Sequence, residues 1–253
     1  MPAEETGQAP GSAARCLFVS DVHLDAAAPG IQARFLSFLR DEAIEASALY
    51  ILGDLFETWV GDDDTADEKE AIRVALRELT AGGVACFLLR GNRDFLLGRQ
   101  FCEQTGCRLL SDPVVVELGG ERVLLTHGDA LCTDDHAYQE LRSVVRAPKW
   151  QRRFLSLPLA QRRLLASEAR AGSRAHLARA QPEIMDVNPR AVAAAFKATR
   201  TRRMIHGHTH RPAVHDLTLE GESVQRIVLG AWHEHGSCLV FETGRYRLRQ
   251  LSR

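Results

Sequence analysis

Apolar residues in this chain fall into short, nearly unbroken runs, and each run ends in a small polar cluster. Cys16-Leu17-Phe18-Val19 passes into Ser20-Asp21-Val22-His23, and Ala48-Leu49-Tyr50-Ile51-Leu52 into Gly53-Asp54-Leu55-Phe56-Glu57. A third run, residues 84–89, passes into Arg90-Gly91-Asn92-Arg93-Asp94. Runs this short and this uniformly apolar predict strands covered on both faces, as in an α/β sheet, and such sheets place their sites beyond the carboxyl ends of the strands. Between the runs the pattern changes to helical spacing. It predicts a helix over 31–46 with Ile31, Phe35, Phe38, Leu39 and Ile44 on the buried stripe, and further helices over 67–80 and 94–105. Gly119-Gly120 then turns a hairpin between strands at Val114–Leu118 and 122–126, the second of which delivers His127-Gly128-Asp129.

From about residue 136 to 182 the strand pattern stops, and helical segments rich in Leu, Ala and Arg take over. Arg142, Arg146, Lys149, Arg152, Arg153, Arg162, Arg163, Arg170, Arg174 and Arg179 are set against only Glu140 and Glu168, with Trp150, Phe154 and several leucines between them. This reads as a helical insertion between strands that carry a site; basic amphipathic helices of this kind also meet anionic lipid surfaces. A helix over 189–200 leads back to a strand that runs into His206-Gly207-His208-Thr209-His210, and strands at 225–232 and 237–241, joined through His233-Glu234-His235-Gly236, close the chain.

The chain has 253 residues, enough for one α/β domain with a sizeable insertion. A single domain over 15–253 is expected, after a Pro-, Gly- and Ala-rich disordered tail over 1–14. Lys plus Arg number 32 against 33 Asp plus Glu, which gives no reason to expect nucleic-acid binding. The six cysteines lack any C-x-x-C pair and lie mostly within apolar runs, so they read as buried thiols of a reducing compartment. With no signal-peptide pattern and no apolar stretch long enough to span a bilayer, a cytoplasmic protein that meets membranes only from the surface is expected.

His208 and His210 alternate, as do Asp21 and His23, and alternate residues of extended backbone point to one side; Gly207 admits a close neighbour. The converging set is Asp21, His23, Asp54, Asn92, His127, His208 and His210. These oxygen and nitrogen donors are too many for one ion, and the lack of thiolate favours harder divalent metals of five or six coordination, so two ions sharing one anionic bridge are implied. The acidic run Asp62, Asp63, Asp64, Asp67, Glu68 and Glu70 reads as a solvated helix cap in preference to a second metal site. His233 and His235 are set aside as ligands because the other positions already complete a site.

Asp-x-His, Gly-Asp, Gly-Asn, His-Gly and Gly-His-x-His occur here in order, as Asp21-Val22-His23, Gly53-Asp54, Gly91-Asn92, His127-Gly128 and Gly207-His208-Thr209-His210. In this the chain resembles the calcineurin-like metallophosphoesterases. The resemblance implies an α/β fold of α/β/β/α type, two mixed sheets flanked by helices, with the insertion as a helical cap. It also implies that Asp21, His23, Asp54 and His210 hold one ion and Asp54, Asn92, His127 and His208 the other. Many members carry His after Gly-Asn where this chain has Arg93; Arg cannot usefully donate a proton but can neutralise phosphate, which suits a diphosphate leaving group.

Within that family the chain resembles the group that hydrolyses UDP-2,3-diacylglucosamine in lipid A synthesis. The match rests on Gly61-Asp62-Asp63-Asp64, Arg90 to Phe95, Asp134-Asp135, Ile184 to Asn188, His206 to Val214 and Val228 to Trp232, as well as on the shared motifs. It implies two Mn²⁺ per chain and a metal-activated hydroxide attacking the α-phosphorus, with UMP and 2,3-diacylglucosamine 1-phosphate as products. The catalytic residues would be Asp54, Asn92, Arg93 and His208; Asn92, Arg93 and His208 would touch the diphosphate, and Asp135 and Ser173 other parts of the substrate. Leu177 and Ala180 stand where polar cap residues are expected, a departure that Arg174 and Arg179 could offset. A monomer, peripheral on the cytoplasmic face of the inner membrane, is expected. The alternatives are a dinuclear phosphohydrolase of soluble nucleotide diphosphates and a non-catalytic binding module.

Overall fold

The computed structural model describes residues 14–177 and 186–251, and side chains up to residue 172 and from 186 onward. The expected tail therefore lies, apart from Ala14, outside the described residues, as do Arg179, Ala180 and the side chains of Ser173, Arg174 and Leu177. In chain order the first half consists of β1 (Cys16–Val19), α1 (Pro29–Asp41), β2 (Ala48–Leu52), α2 (Asp67–Ala81), β3 (Ala85–Leu89), α3 (Arg99–Thr105), β4 (Arg108–Leu109), β5 (Val114–Leu118) and β6 (Glu121–Leu125). The helices α4 (His136–Val145), α5 (Pro148–Leu155), α6 (Leu159–Leu177) and α7 (Pro189–Thr199) follow. The strands β7 (Arg203–His206), β8 (Ala213–Leu219), β9 (Glu222–Val228), β10 (Ser237–Glu242) and β11 (Arg245–Gln250) end the chain.

Two mixed sheets result, one of order β11-β10-β1-β2-β3-β4 and one of order β5-β6-β7-β9-β8. In the first, β1 to β4 run parallel and β10 and β11 antiparallel to their neighbours. In the second, β7 is parallel to both β6 and β9, with β5 and β8 antiparallel at the edges. The residues of β1 and β2 alternate between two cores. Leu17, Val19, Leu49 and Ile51 pack with Phe35, Phe38, Leu39, Ile72, Leu76 and Phe101 of the outer helices. Cys16, Phe18, Ala48, Tyr50 and Leu52 face Val123, Leu125, Ile205 and Ile227 of the second sheet. On that sheet's far side, Leu124 and Met204 meet Val192 and Phe196 of α7. This is why the runs look continuously apolar: both faces are buried, and four layers, α/β/β/α, follow. Register sets Phe18 opposite Tyr50 and Tyr50 opposite Phe87, stacking their rings at 4.8 and 4.7 Å. Each such ring contributes about 1.5–3 kcal/mol by leaving water.

Several local expectations are corrected. The helix expected over 31–46 ends at Asp41, and Glu42 departs from helical geometry, so a short 3-10 turn follows. That turn points Ala43 inward and leaves Ile44 57% exposed. Residues 94–98 are a loop because the Asp94 carboxylate turns inward to accept backbone N–H groups of Gly91 (2.8 Å) and Leu55 (2.7 Å). The strands at β9 and β10 belong to different sheets, so the segment between them crosses over and is not a hairpin turn.

The acidic run is only in part a solvated cap. Asp67, Glu68 and Glu70 occupy the first turn of α2, where the helix dipole favours them. Asp62 instead accepts the backbone N–H groups of Gly98 and Phe101, each at 3.0 Å, and so caps α3 from 36 residues away in sequence. Asp63 and the buried Asp64 pair with Arg162 and Arg163 of α6.

Those pairs bear on the helical segment, since several of its cations are committed to the body of the protein. Arg142 and Arg146 pair with Asp129, and Arg170 with Glu57. Arg162 is itself buried and also donates to Val60 O at 2.6 Å. Among the described residues no helix is long and apolar enough to cross a membrane. Cys16, Cys86, Cys107, Cys132 and Cys238 are buried, and Cys102 is half-buried.

Candidate metal centre

The loops that follow β1 and β2 run side by side, tied by Asp21 N–H to Gly53 O (3.1 Å), His23 N–H to Asp54 O (3.0 Å) and Leu24 N–H to Leu55 O (2.9 Å). Convergence of the polar side chains does not come from extended backbone. Asp21, His23, Asp54, His208 and His210 all sit in the left-handed region, with φ between 52° and 69°. For non-glycine residues this costs on the order of 1–3 kcal/mol each, and such strain collects where a site over-determines the backbone. Close approach is achieved at two glycines. A Cβ on Gly207 would lie 1.7 Å from Ser20 Oγ, and one on Gly91 would lie 2.0 Å from Asp54 Oδ1.

All seven expected ligands meet in one place. Asp21, His23 and Asp54 offer donor atoms within 4.8 Å of one another. Asp21 Oδ1 is buried without a hydrogen-bond donor, 3.3 Å from His210 Nε2. Asp54 Oδ2 lies 3.9 Å from His23 Nε2 and 3.8 Å from His127 Nε2, between the two halves of the cluster. On the far side Asn92 Oδ1 is 2.9 Å from His127 Nε2 and 2.9 Å from His208 Nδ1. His127 Nδ1 is taken up by Leu52 O at 2.9 Å, which makes it the protonated nitrogen and leaves the Nε2 lone pair toward the cluster. An orphaned buried carboxylate oxygen, ringed by imidazole nitrogens and one amide oxygen, fits divalent cations. The donors form two groups that share Asp54.

The electrostatics agree with a cation site. Burial would lower the pKa of His127, yet the Asp54, Asp21 and Asp129 charges raise it to about 9. Burial and the neighbouring Asp54 charge push Asp94 up to about 6. His208 is held down to about 4, first by burial and then by His127. Anionic groups thus outweigh what the imidazoles can neutralise in a closed space.

His206, the first histidine of its motif, stays out of the cluster. It is fully buried, bonded to Gly207 O (2.8 Å) and facing Arg226 (3.1 Å), and burial lowers its pKa to about 3. His233, set aside on sequence, instead stacks 5.4 Å from the His23 ring and meets the His210 ring edge-on at 5.6 Å. Its nitrogen falls within 4.8 Å of theirs. The crossover segment brings it there: Trp232 N–H donates to Asp21 O at 3.2 Å, and the Trp232 indole packs on Phe35 and Phe38.

Three further residues hold the cluster without a strong sequence signal. Glu57 Oε2 lies 2.7 Å from His23 Nδ1. Burial would raise the Glu57 pKa, but the His23 hydrogen bond and the Arg93 and Arg170 charges bring it to about 2. The buried Asp129 accepts from Tyr138 OH at 2.6 Å and Arg142 Nε at 2.8 Å, which fixes α4 beside the His127 loop. Asp94 clips the β2 and β3 loops together, as described above.

The donors open into a cavity of about 730 Å³. His23, Asp54, Asn92, Arg93, Asp135, Arg170, His208 and His210 form its polar floor, and Trp59, Phe95, Leu141, Val144, Trp150, Phe154, Leu157 and Leu165 its apolar walls. Arg93 N–H donates to Asp54 Oδ1 at 2.7 Å, while its guanidinium lies 3.9 Å from Glu57. Asp135 caps α4 by accepting Tyr138 N–H at 3.0 Å.

A family model described as calcineurin-like phosphoesterase matches residues 14–212, a span that includes all seven donors. The chain belongs to the calcineurin-like phosphoesterases. Among curated relatives, a UDP-2,3-diacylglucosamine hydrolase of Serratia proteamaculans (strain 568) is 49% identical over 223 residues, 88% of this chain and 93% of its own. A protein of the same name from Salmonella typhi is 50% identical over 221 residues, covering 87% and 92%. A solved archaeal phosphodiesterase, 14% identical, aligns over 94% of this chain and 99% of its own with a TM-score of 0.48. As a calcineurin-like phosphoesterase, the chain is a hydrolase whose family binds divalent metal.

Proposed function

We propose that this phosphoesterase hydrolyses the diphosphate bond of UDP-2,3-diacylglucosamine, giving UMP and 2,3-diacylglucosamine 1-phosphate. The observation that carries the reading is the junction of the polar floor with the apolar walls. A diphosphate could lie on the donor cluster while acyl chains run along Trp150, Phe154 and Leu157. The names of the two relatives support this substrate.

In this reading Asp21, His23, Asp54 and His210 hold one ion, and Asp54, Asn92, His127 and His208 the other. Two Mn²⁺ suit a set of carboxylate, amide and imidazole donors, with the identity of the metal taken from the resemblance. Bound there, the cations would draw charge from phosphoryl oxygens and lower the pKa of a bound water. The chain's own residues orient the substrate. Asn92, Arg93 and His208, which line the cavity together, would contact the diphosphate, and the Arg93 fork would neutralise charge on the leaving phosphate. Asp135, at the head of α4 and in the cavity lining, would touch another part of the substrate; the side chain of Ser173 lies outside the described residues.

The walls continue to the surface, since Leu141, Val144 and Leu165 line the cavity and are also 56%, 52% and 39% exposed. With Leu155 and Leu164 exposed nearby and Arg152 and Arg153 in the last turn of α5, this face suits peripheral contact with an anionic membrane. We place the protein on the cytoplasmic side of the inner membrane, where such a substrate would be met.

The test is hydrolysis in ¹⁸O water with Mn²⁺, comparing UDP-2,3-diacylglucosamine with UDP-N-acetylglucosamine. Label in UMP and a rate at least 100-fold lower on the soluble sugar nucleotide are expected. Equal rates would favour a hydrolase of soluble nucleotides, and label in the lipid phosphate would refute attack at the α-phosphorus.

A further inference from the structure

Glu57 stands at the end of the second strand's polar cluster, yet its side chain is engaged on both oxygens by groups from elsewhere. Oε2 lies 2.7 Å from His23 Nδ1. Oε1 accepts from Arg170 Nη1 at 2.6 Å, and the other arm of the same guanidinium donates to the Glu57 carbonyl. Arg170 belongs to α6, 113 residues further along the chain, and its side chain is only 13% exposed, so this is not a solvated surface pair. Arg93 Nη1 approaches the same carboxylate oxygen at 3.9 Å.

A carboxylate on Nδ1 holds the imidazole proton there and keeps the lone pair on Nε2. That nitrogen is the one turned toward Asp21 Oδ1 and Asp54 Oδ2, 3.9 Å from each. The orientation of the carboxylate depends in turn on Arg170, because a planar guanidinium gripping both a side-chain oxygen and the backbone carbonyl of one residue fixes its rotamer. We propose that Glu57 is a positioning residue linking α6 to His23, so that retention of the first ion depends on an arginine that touches no donor atom. This rests on the reading of His23 as a ligand of one of two ions.

The linkage separates two roles that a basic helix beside a phosphate site could have. An arginine that only binds substrate would leave metal affinity unchanged when replaced. One that acts through Glu57 and His23 changes metal affinity with no substrate present.

The experiment uses the full-length protein, stripped with chelator and titrated with Mn²⁺ by calorimetry and with Co²⁺ by visible absorption, without substrate. Wild type should take up two ions. In Glu57→Gln one of the two should bind 10- to 100-fold more weakly, the usual effect of removing a carboxylate behind a metal-bound histidine, while the other changes less than twofold. Arg170→Gln should weaken the same ion, and the double variant should lose no more than Glu57→Gln alone, because both act along one chain of contacts. Circular dichroism melts confirm folding; should Glu57→Gln fail to fold, Arg170→Gln still decides the matter. Wild-type affinity for both ions in Arg170→Gln, or additive losses in the double variant, would overturn the linkage. Fewer than two ions in the wild type would overturn the binuclear reading itself, and that outcome is read before any variant is compared.

Discussion

Replacing Asp129 by alanine removes a carboxylate with no solvent contact that joins the His127 loop to the first helix of the inserted segment. Tyr138 OH, bonded to it at 2.6 Å, would lose its partner in a largely buried position, at a cost of about 1–3 kcal/mol. Arg142 would lose a 2.8 Å charge-assisted bond, but its side chain is 23% exposed and can recover water, so about 1 kcal/mol is assigned there. The sum is about 3 kcal/mol, or a fall in Tm of roughly 6–12 °C for a chain of this size. Asp129→Asn keeps an acceptor oxygen without the charge and should lose about half as much. The pH dependence supplies a second check. Burial would raise the Asp129 pKa, but the charges of His127, Arg142, His208 and Arg146 hold it below the usual carboxylate range. A group depressed in this way contributes stability above its unfolded pKa of about 3.9, and that stability is lost as pH falls through the folded value. The stability gap between wild type and Asp129→Ala should therefore be constant above pH ~4 and close below it. Urea unfolding with chelator present, from pH 2.5 to 7, measures both effects. A gap under about 1 kcal/mol at neutral pH, or one that widens in acid, would refute the account.

Asp54→Asn preserves shape and the acceptor for Arg93 N–H but removes the charge shared by both donor groups; turnover should fall at least 1000-fold with loss of at least one bound metal, read by kinetics and metal analysis. Gly207→Ala places a methyl 1.7 Å from Ser20 Oγ and should impair metal uptake by displacing Asp21, whereas an alanine with wild-type metal content would contradict the packing described. Asp62→Ala removes a remote cap with two backbone contacts and one to the Trp59 indole, and should lower unfolding stability by about 2 kcal/mol with little change in metal affinity, as denaturant titration would show.

What could be read from the sequence follows from what each signal measures. Continuous apolar runs report burial on both faces, so β1, β2, β3, β6 and β7 and the polar clusters beyond them are legible, and with them the seven candidate donors. The same criterion passes over β8 and β11, edge strands that alternate with polar or basic residues, as in Arg245-Tyr246-Arg247-Leu248-Arg249. Spacing also anticipates the convergence of Asp21 with His23 and of His208 with His210 for the wrong reason: they converge through left-handed kinks, which no alternation rule contains. Charge was the weakest guide. Asp62 looks like its acidic neighbours yet caps a distant helix, and Arg162 and Arg170, which sequence counts as free cations, are committed to Asp63 and Glu57. A lone ionisable residue has no periodicity to betray its partner, so contacts between parts of the chain far apart in sequence emerge only once the fold is known. In this protein those contacts join the inserted helices to both sides of the donor cluster, through Glu57 beside His23 and through Asp129 beside His127. The segment that lines the apolar cavity is therefore built into the support of the site it covers.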